Sequence, residues 1–333
     1  MKTRKRLKIV SIILGCVLGI LCFIVLKIAA SLSSPPRRAL QPYHEDWLGH
    51  PEQHGIQIER FSCLNGNAPC LLVTPRADVP VSERGAAIRR QLQEMGCTLG
   101  TPGKVRGTLV LLHGRTGRKE DLLPVAERFC AVGYRCVLPD LPAHGDSPLQ
   151  AVYFGTGPGE ADFASGVLAE VATKRGFAIS PAAIWGISMG GCYAIRSLAT
   201  HPGAWNCAVI VSSFDSLEEA IREQSWSRAW ILAPLLSQAV DFTLKARYGL
   251  DVQVVKPAQW IATTKIPIFV AHGTADTLFP LKTGRRLFDA IPYGQKKWME
   301  VDGGTHDNVL VTPAPLYANM AAWFLNHMPK EGD

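Results

Sequence analysis

This 333-residue sequence lacks the marks of a metalloprotein or a polymer-binding protein. No Cys/His spacing resembles a tetrahedral zinc site. Charge of one sign is also scarce: of the formal net charge of +7, five units come from Lys2, Arg4, Lys5, Arg6 and Lys8, and the rest holds thirty basic against twenty-eight acidic residues. A nearly neutral body gives no electrostatic case for nucleic-acid binding. An even set of exportable cysteines is missing too, because Cys16 and Cys22 lie in an apolar run and leave seven others, which cannot all pair within one chain. Cys63 and Cys70 flank the turn signal Asn65-Gly66-Asn67, and both a local disulfide in an oxidising compartment and two unpaired thiols fit that pattern. The other cysteines mostly sit in apolar runs, as small buried side chains do. Nothing in the composition marks disorder; 30 glycines and 23 prolines suit many short connections in one large α/β domain or two small ones.

What is present begins with a membrane candidate. Residues 9–26 are uncharged and mostly apolar, and as a helix they rise about 27 Å, close to the hydrocarbon thickness. Three readings compete: a retained anchor, a signal cleaved near Ala29-Ala30-Ser31, and a lipoprotein signal at Cys16. Signal apolar cores are usually shorter, and residues 17–26 stay apolar where a lipidated cysteine would be followed by polar ones, so a retained anchor leads. The positive charges precede the span, which predicts a cytoplasmic amino terminus and an exported body. The expected division is a basic tail and single-pass anchor at 1–30, with membrane contact through 9–30, a linker at 31–50 and a body at 51–330. Ser33-Ser34-Pro35-Pro36 makes that linker read as short and extended, lifting the body off the bilayer.

Along the body, residues 56–63 and 68–74 read as a strand hairpin and 82–95 as an amphipathic helix of no evident role. From there strands at 108–112, 136–138, 183–185, 207–211, 268–271 and 297–301 alternate with helices at 121–132, 161–174, 189–199, 282–290 and 315–327. Such alternation predicts an α/β fold: a mostly parallel central sheet with helices on both faces and ligands at the carboxyl ends of the strands. Residues 215–264 interrupt it as a helical cap, in which Trp226, Trp230, Ile231, Leu232, Leu235 and Leu236 either pack on the body or line an apolar substrate pocket.

The motif that carries chemistry is Gly186-Ile187-Ser188-Met189-Gly190, at the end of an apolar strand-like run. Gly186 and Gly190 keep a sharp, strained turn free of side chains, so that the Ser188 hydroxyl projects over the sheet edge. A serine hydroxyl needs a base to become a nucleophile, and that base needs an orienting acid. Asp276, in the loop after the 268–271 strand, is the candidate acid, and His306, after the glycines of Val301-Asp302-Gly303-Gly304-Thr305, the candidate base. Asp302 and Asp307 compete weakly, being too near His306 in a short loop to brace its ring. The backbone amides of Met189 and Arg115, the latter in the loop His113-Gly114-Arg115-Thr116-Gly117, are the candidate donors to an oxyanion.

His113-Gly114, the run Asp140-Leu141-Pro142-Ala143-His144-Gly145-Asp146-Ser147, the serine turn, His272-Gly273-Thr274-Ala275-Asp276 and Gly304-Thr305-His306 together resemble an α/β-hydrolase, over about residues 56–328. The chain is most similar to the serine aminopeptidase-like and monoacylglycerol-lipase-like branch. That resemblance implies hydrolysis of a carboxylic ester, thioester or amide without metal or organic cofactor, on a small-molecule acyl substrate, lipid-like esters among the candidates. It also implies that His144 and Asp140 are structural. Residues 82–95 depart from the family's usual lead into the body and leave the pocket mouth undefined. An amidase or peptidase using Glu218, Glu219 or Glu223 to hold an amino terminus, and a silent scaffold on the same fold, are the alternatives; no protein partner is indicated.

Overall fold

A computed structural model describes residues 2–229, 233–292, 294–312 and 315–329. In chain order the elements are α1 (Lys2–Ser33), α2 (Pro42–Gly49), β1 (Ile56–Cys63), β2 (Ala68–Pro75), α3 (Glu83–Glu94), β3 (Gly107–Leu112), α4 (Leu123–Ala131), β4 (Tyr134–Pro139), α5 (Phe163–Arg175), β5 (Ala182–Ile187), α6 (Met189–Thr200), β6 (Cys207–Val211), α7 (Leu217–Ala229), α8 (Ala233–Thr243), α9 (Pro257–Ile261), β7 (Ile268–Gly273), α10 (Leu281–Asp289), β8 (Lys296–Val301) and α11 (Leu316–His327). The strands form one sheet in the order β1-β2-β4-β3-β5-β6-β7-β8. Strand β2 pairs antiparallel with both β1 and β4, and the remaining pairs are parallel. This is the α/β-hydrolase fold.

Alternation along the central strands splits the core into two layers. Val110 and Leu112 of β3 pack with Ile184, Ile210 and the helices α5 and α6, whereas Leu109 and Leu111 pack with Trp185, Phe269 and the helices α3, α4 and α11. The segment with no evident role in the sequence, α3, belongs to the second layer: Ser82 caps it by accepting from the Gly85 amide at 3.1 Å, and Ile88 and Leu92 are buried. It packs against α4 and α11.

At the amino terminus, the 26 residues Lys8–Ser33 form a helix long and apolar enough to cross a membrane. Its two ends differ. Up to Ile24 the apolar side chains are almost all exposed, but Val25 and Ala29 are buried in the first core layer, and Ile28 and Leu32 are packed against it. That i, i+3, i+4, i+7 stripe rests on α8. The expected linker at 31–50 is therefore not an extended spacer. Helix α1 continues to Ser33, whose carbonyl accepts from Val152 N at 2.8 Å. Arg37 then donates to the carbonyls of Gly145, Ser147 and Leu149, and Pro42 starts α2, whose His44 and Trp47 are buried. Fixed φ at the first helical position lets proline open that helix, a signal masked in the sequence by Pro35 and Pro36 just before it.

Candidate active site

The chemistry-bearing residues sit where β5, β7 and β8 end. Ser188 follows β5 with φ 54° and ψ −120°, a conformation that non-glycine residues avoid. It is held there by its amide donating to Val211 O at 2.9 Å and by Ser213 Oγ donating to its carbonyl at 2.9 Å. The flanking glycines are required by contact: a Cβ on Gly186 would stand 2.3 Å from Gly190 O, and one on Gly190 would stand 2.1 Å from Leu112 O.

Asp276 lies in the turn after β7 with its side chain buried. Its Oδ1 accepts from the amides of Leu278 (2.9 Å) and Phe279 (2.8 Å), which leaves Oδ2 aimed at His306 Nδ1, 2.8 Å away. On the other side of the ring His306 Nε2 is 3.0 Å from Ser188 Oγ. The loops of acid and base are tied together by Ala275 N donating to Gly304 O at 2.9 Å. His272 also approaches Asp276 Oδ2, at 3.6 Å, but its Nε2 meets the Phe279 carbonyl at 2.7 Å, so that nitrogen carries the hydrogen. Burial lowers the His272 pKa and keeps the ring neutral. Asp302 faces the Thr274 hydroxyl at 3.3 Å instead of the imidazole.

Met189 opens α6, where the first amides have no acceptor inside the helix. Arg115 comes to the same cleft from the loop after β3, followed by Thr116 at φ 62°, while Gly114 brings its backbone against Ser188. The Arg115 guanidinium reaches outward to Ser31 Oγ of α1, at 3.4 Å. Behind this loop stand two buried histidines. His113 donates from Nδ1 to Gly114 O (2.8 Å) and accepts at Nε2 from Leu141 N (3.0 Å), and burial lowers its pKa to about 4. His144 donates to Pro142 O at 2.8 Å and is lowered by burial to about 3. Asp140 accepts from the amides of Lys119 and Asp146, both at 2.8 Å, and from Lys119 Nζ at 2.7 Å. These three residues brace loops.

The cleft over Ser188 holds about 180 Å³ and is walled by Phe154, Phe214, Leu217, Ile221 and Phe279. None of these was singled out from sequence. Phe279 is three residues past Asp276, and Phe154 sits at positive φ (54°) in a loop gathered by Glu160, which accepts from the amides of Tyr153 and Gly155, both at 2.9 Å. A second cavity of about 260 Å³ shares Leu32, Arg115, Ile221 and Gln224 with the first and adds Lys27, Ile28, Ser31 and Leu236. Of the cap residues named from sequence, Leu236 lines that outer cavity and Leu235 is 68% exposed. The Trp226 side chain and residues 230–232 lie outside what the structure describes. Of the cap glutamates, Glu219 pairs with Arg222, and Glu223 with Lys282 at 2.9 Å and Thr283 at 3.1 Å. A larger cavity of about 510 Å³ beside Arg60, Arg118 and Asp146 does not include Ser188 in its lining.

A family model described as serine aminopeptidase, S33, matches residues 103–260, ending before Asp276 and His306. Among solved structures, an esterase of Pyrococcus furiosus aligns with a TM-score of 0.61 at 14% identity, covering 89% of this chain and 98% of that one. The 2,6-dihydroxy-pseudo-oxynicotine hydrolase aligns at 0.54 and 16%, covering 82% and 68%. The monoacylglycerol lipase of Paleococcus ferrophilus aligns at 0.50 and 21%, covering 67% and 96%. No curated protein sequence matches significantly. The sheet order and these structural alignments show the α/β-hydrolase fold. The family model covers the central part of the chain, from before β3 to α9, and the chain is similar there to the serine aminopeptidases it describes.

Proposed function

We propose that this hydrolase cleaves a carboxylic ester through an acyl-enzyme on Ser188. The observation that carries the reading is the unbroken chain from Ser188 Oγ to His306 Nε2 at 3.0 Å and from His306 Nδ1 to Asp276 Oδ2 at 2.8 Å. In this reading His306 takes the hydroxyl proton as Ser188 Oγ attacks the acyl carbon, and Asp276 balances the imidazolium charge. The amides of Met189 and Arg115 receive the oxyanion. Collapse breaks the bond to the leaving alcohol, which takes the proton from His306; water then attacks the acyl-serine, His306 again moving the proton, and the acid departs with the serine restored.

An ester is favoured over an amide with a free amino terminus because, among the described residues, Asp307 is the one carboxylate lining the cleft; Glu218, Glu219 and Glu223 do not line it, and Glu219 and Glu223 are engaged elsewhere. We further propose that α1 is a retained single-pass anchor with a cytoplasmic amino terminus and an extracytoplasmic body. Supporting retention, cleavage near Ala30 would withdraw Val25 and Ala29 from the core. The exported, cleaved form is the alternative.

The test is labelling with a fluorophosphonate probe beside hydrolysis of acyl esters and aminoacyl amides. The full chain is expected to be labelled and to prefer esters, and Ser188→Ala to lose both label and turnover. Equal ester hydrolysis by Ser188→Ala would sink the mechanism; faster cleavage of aminoacyl amides would turn the reading toward a peptidase.

A further inference from the structure

Helix α1 has two environments along one continuous rod. From Ile9 to Ile24 it stands free of the body, a stretch that rises roughly 24 Å. From Val25 to Ser33 the same rod is built into the hydrolase, and this buried end meets the cleft. Leu32 lines the cavity that holds Ser188, and Lys27, Ile28 and Ser31 line the adjoining outer cavity. The two cavities share Leu32, Arg115, Ile221 and Gln224, so the outer one adjoins the cleft on the side where α1 lies. Beside α1, α8 turns Leu235 and Phe242 outward, seven residues apart on one helix face and 68% and 75% exposed. Exposed apolar groups on a helix packed against a membrane-length helix suit the boundary between headgroups and acyl chains.

We propose that the last turns of α1 form one wall of an acyl channel, and that the substrate is a bilayer-resident acyl ester whose chain slides along α1 to Ser188. The inference rests on the ester-hydrolase reading above and on α1 being embedded in a bilayer. Its chemistry is simple: an apolar chain leaves the hydrocarbon layer for the Ile28, Leu32, Ile221 and Leu236 surface without crossing water, so no hydrophobic cost opposes entry. Gln224 and Arg115 line both cavities and are the polar side chains that the two have in common.

The test uses the full chain in vesicles of an ether-linked phosphatidylcholine, which it cannot hydrolyse, comparing a soluble acetyl ester with an oleoyl glycerol ester held in the membrane. Ile28→Trp and Leu236→Trp fill the outer cavity from two elements, and each is expected to lower the ratio of long-ester to short-ester kcat/KM about tenfold or more. Leu18→Trp, on the exposed part of α1, is expected to leave the ratio unchanged. A vesicle-held ester with a diazirine on its chain is expected to crosslink the unaltered chain within residues 27–32, which covers the case in which a tryptophan variant does not fold. The proposal is overturned if both variants keep the parent ratio, if crosslinks fall only elsewhere, or if a preparation shown on a separate aliquot to take the label at Ser188 cleaves, unlabelled, the acetyl ester but not the membrane-held one. Failure of the underlying hydrolase reading looks different: the parent then takes no fluorophosphonate label and cleaves neither ester.

Discussion

The two walls of the cleft are built by different means. On the strand-end side, Ser188, Asp276 and His306 are fixed by backbone hydrogen bonds, by a strained φ at the serine and by glycines that tolerate no Cβ. Across from it, α1, α7 and α8 present apolar side chains such as Leu32, Ile221 and Leu236 toward the cavities. In the proposed mechanism the first wall governs how fast a bond breaks and the second governs which molecule arrives. Backbone constraint gives distances good to a few tenths of an ångström, whereas side-chain packing leaves shape and size adjustable by substitution.

The largest effect that would test this division comes from Asp276→Asn. It keeps the two backbone acceptor contacts of Oδ1 possible but presents an amide to His306, and it should lower kcat by about 10⁴-fold with KM little changed. Steady-state kinetics on one ester would reveal it, and a change mainly in KM would mean that the acid belongs to the selecting wall. A smaller effect concerns the support behind the oxyanion loop. Because burial holds the His113 pKa near 4 in the folded chain, below the usual 6.5, the unfolded chain binds the extra proton between those values. Stability contributed by the neutral ring is therefore present above about pH 6.5 and lost as the pH falls toward 4, to the extent of about 3 kcal/mol. Urea unfolding at stepped pH, compared with His113→Gln, should show a shallower acid slope in the variant. Smallest of all, Arg115→Ala should change kcat on a short ester by no more than about threefold, since the backbone amide proposed to receive the oxyanion survives. A loss of a hundredfold would move the Arg115 guanidinium from the packing wall into the reacting one.

The strand-end wall was largely legible in the sequence, because its elements carry local signals. Buried parallel strands read as short apolar runs, and the serine turn, the acid loop and the histidine loop each carry glycines at the bends. The packing wall was not. Nothing distinguishes Val25 or Ala29 from Ile13 or Leu18 as residues, since an apolar side chain suits lipid and protein interior alike; only the tertiary contact with α8 separates them. For the same reason residues 31–50 read as a spacer, although Ser33, His44 and Trp47 are buried there. Phe154 and Phe214 were invisible because contributions from distant loops leave no periodic pattern in the chain. Cys63 and Cys70 are buried free thiols on the β1–β2 hairpin, with Cys63 opposite Ala68 and Cys70 opposite Phe61.

The clasp after α1, in which Ser33 O meets Val152 N and Arg37 gathers three carbonyls, leaves no swivel between helix and hydrolase. Held in a bilayer by such a joint, the protein would keep one face toward the membrane and explore only spin and drift within its plane. Its encounter rate would then follow the number of substrate molecules per unit area and fall when the surface is diluted with inert lipid, however much substrate the suspension contains.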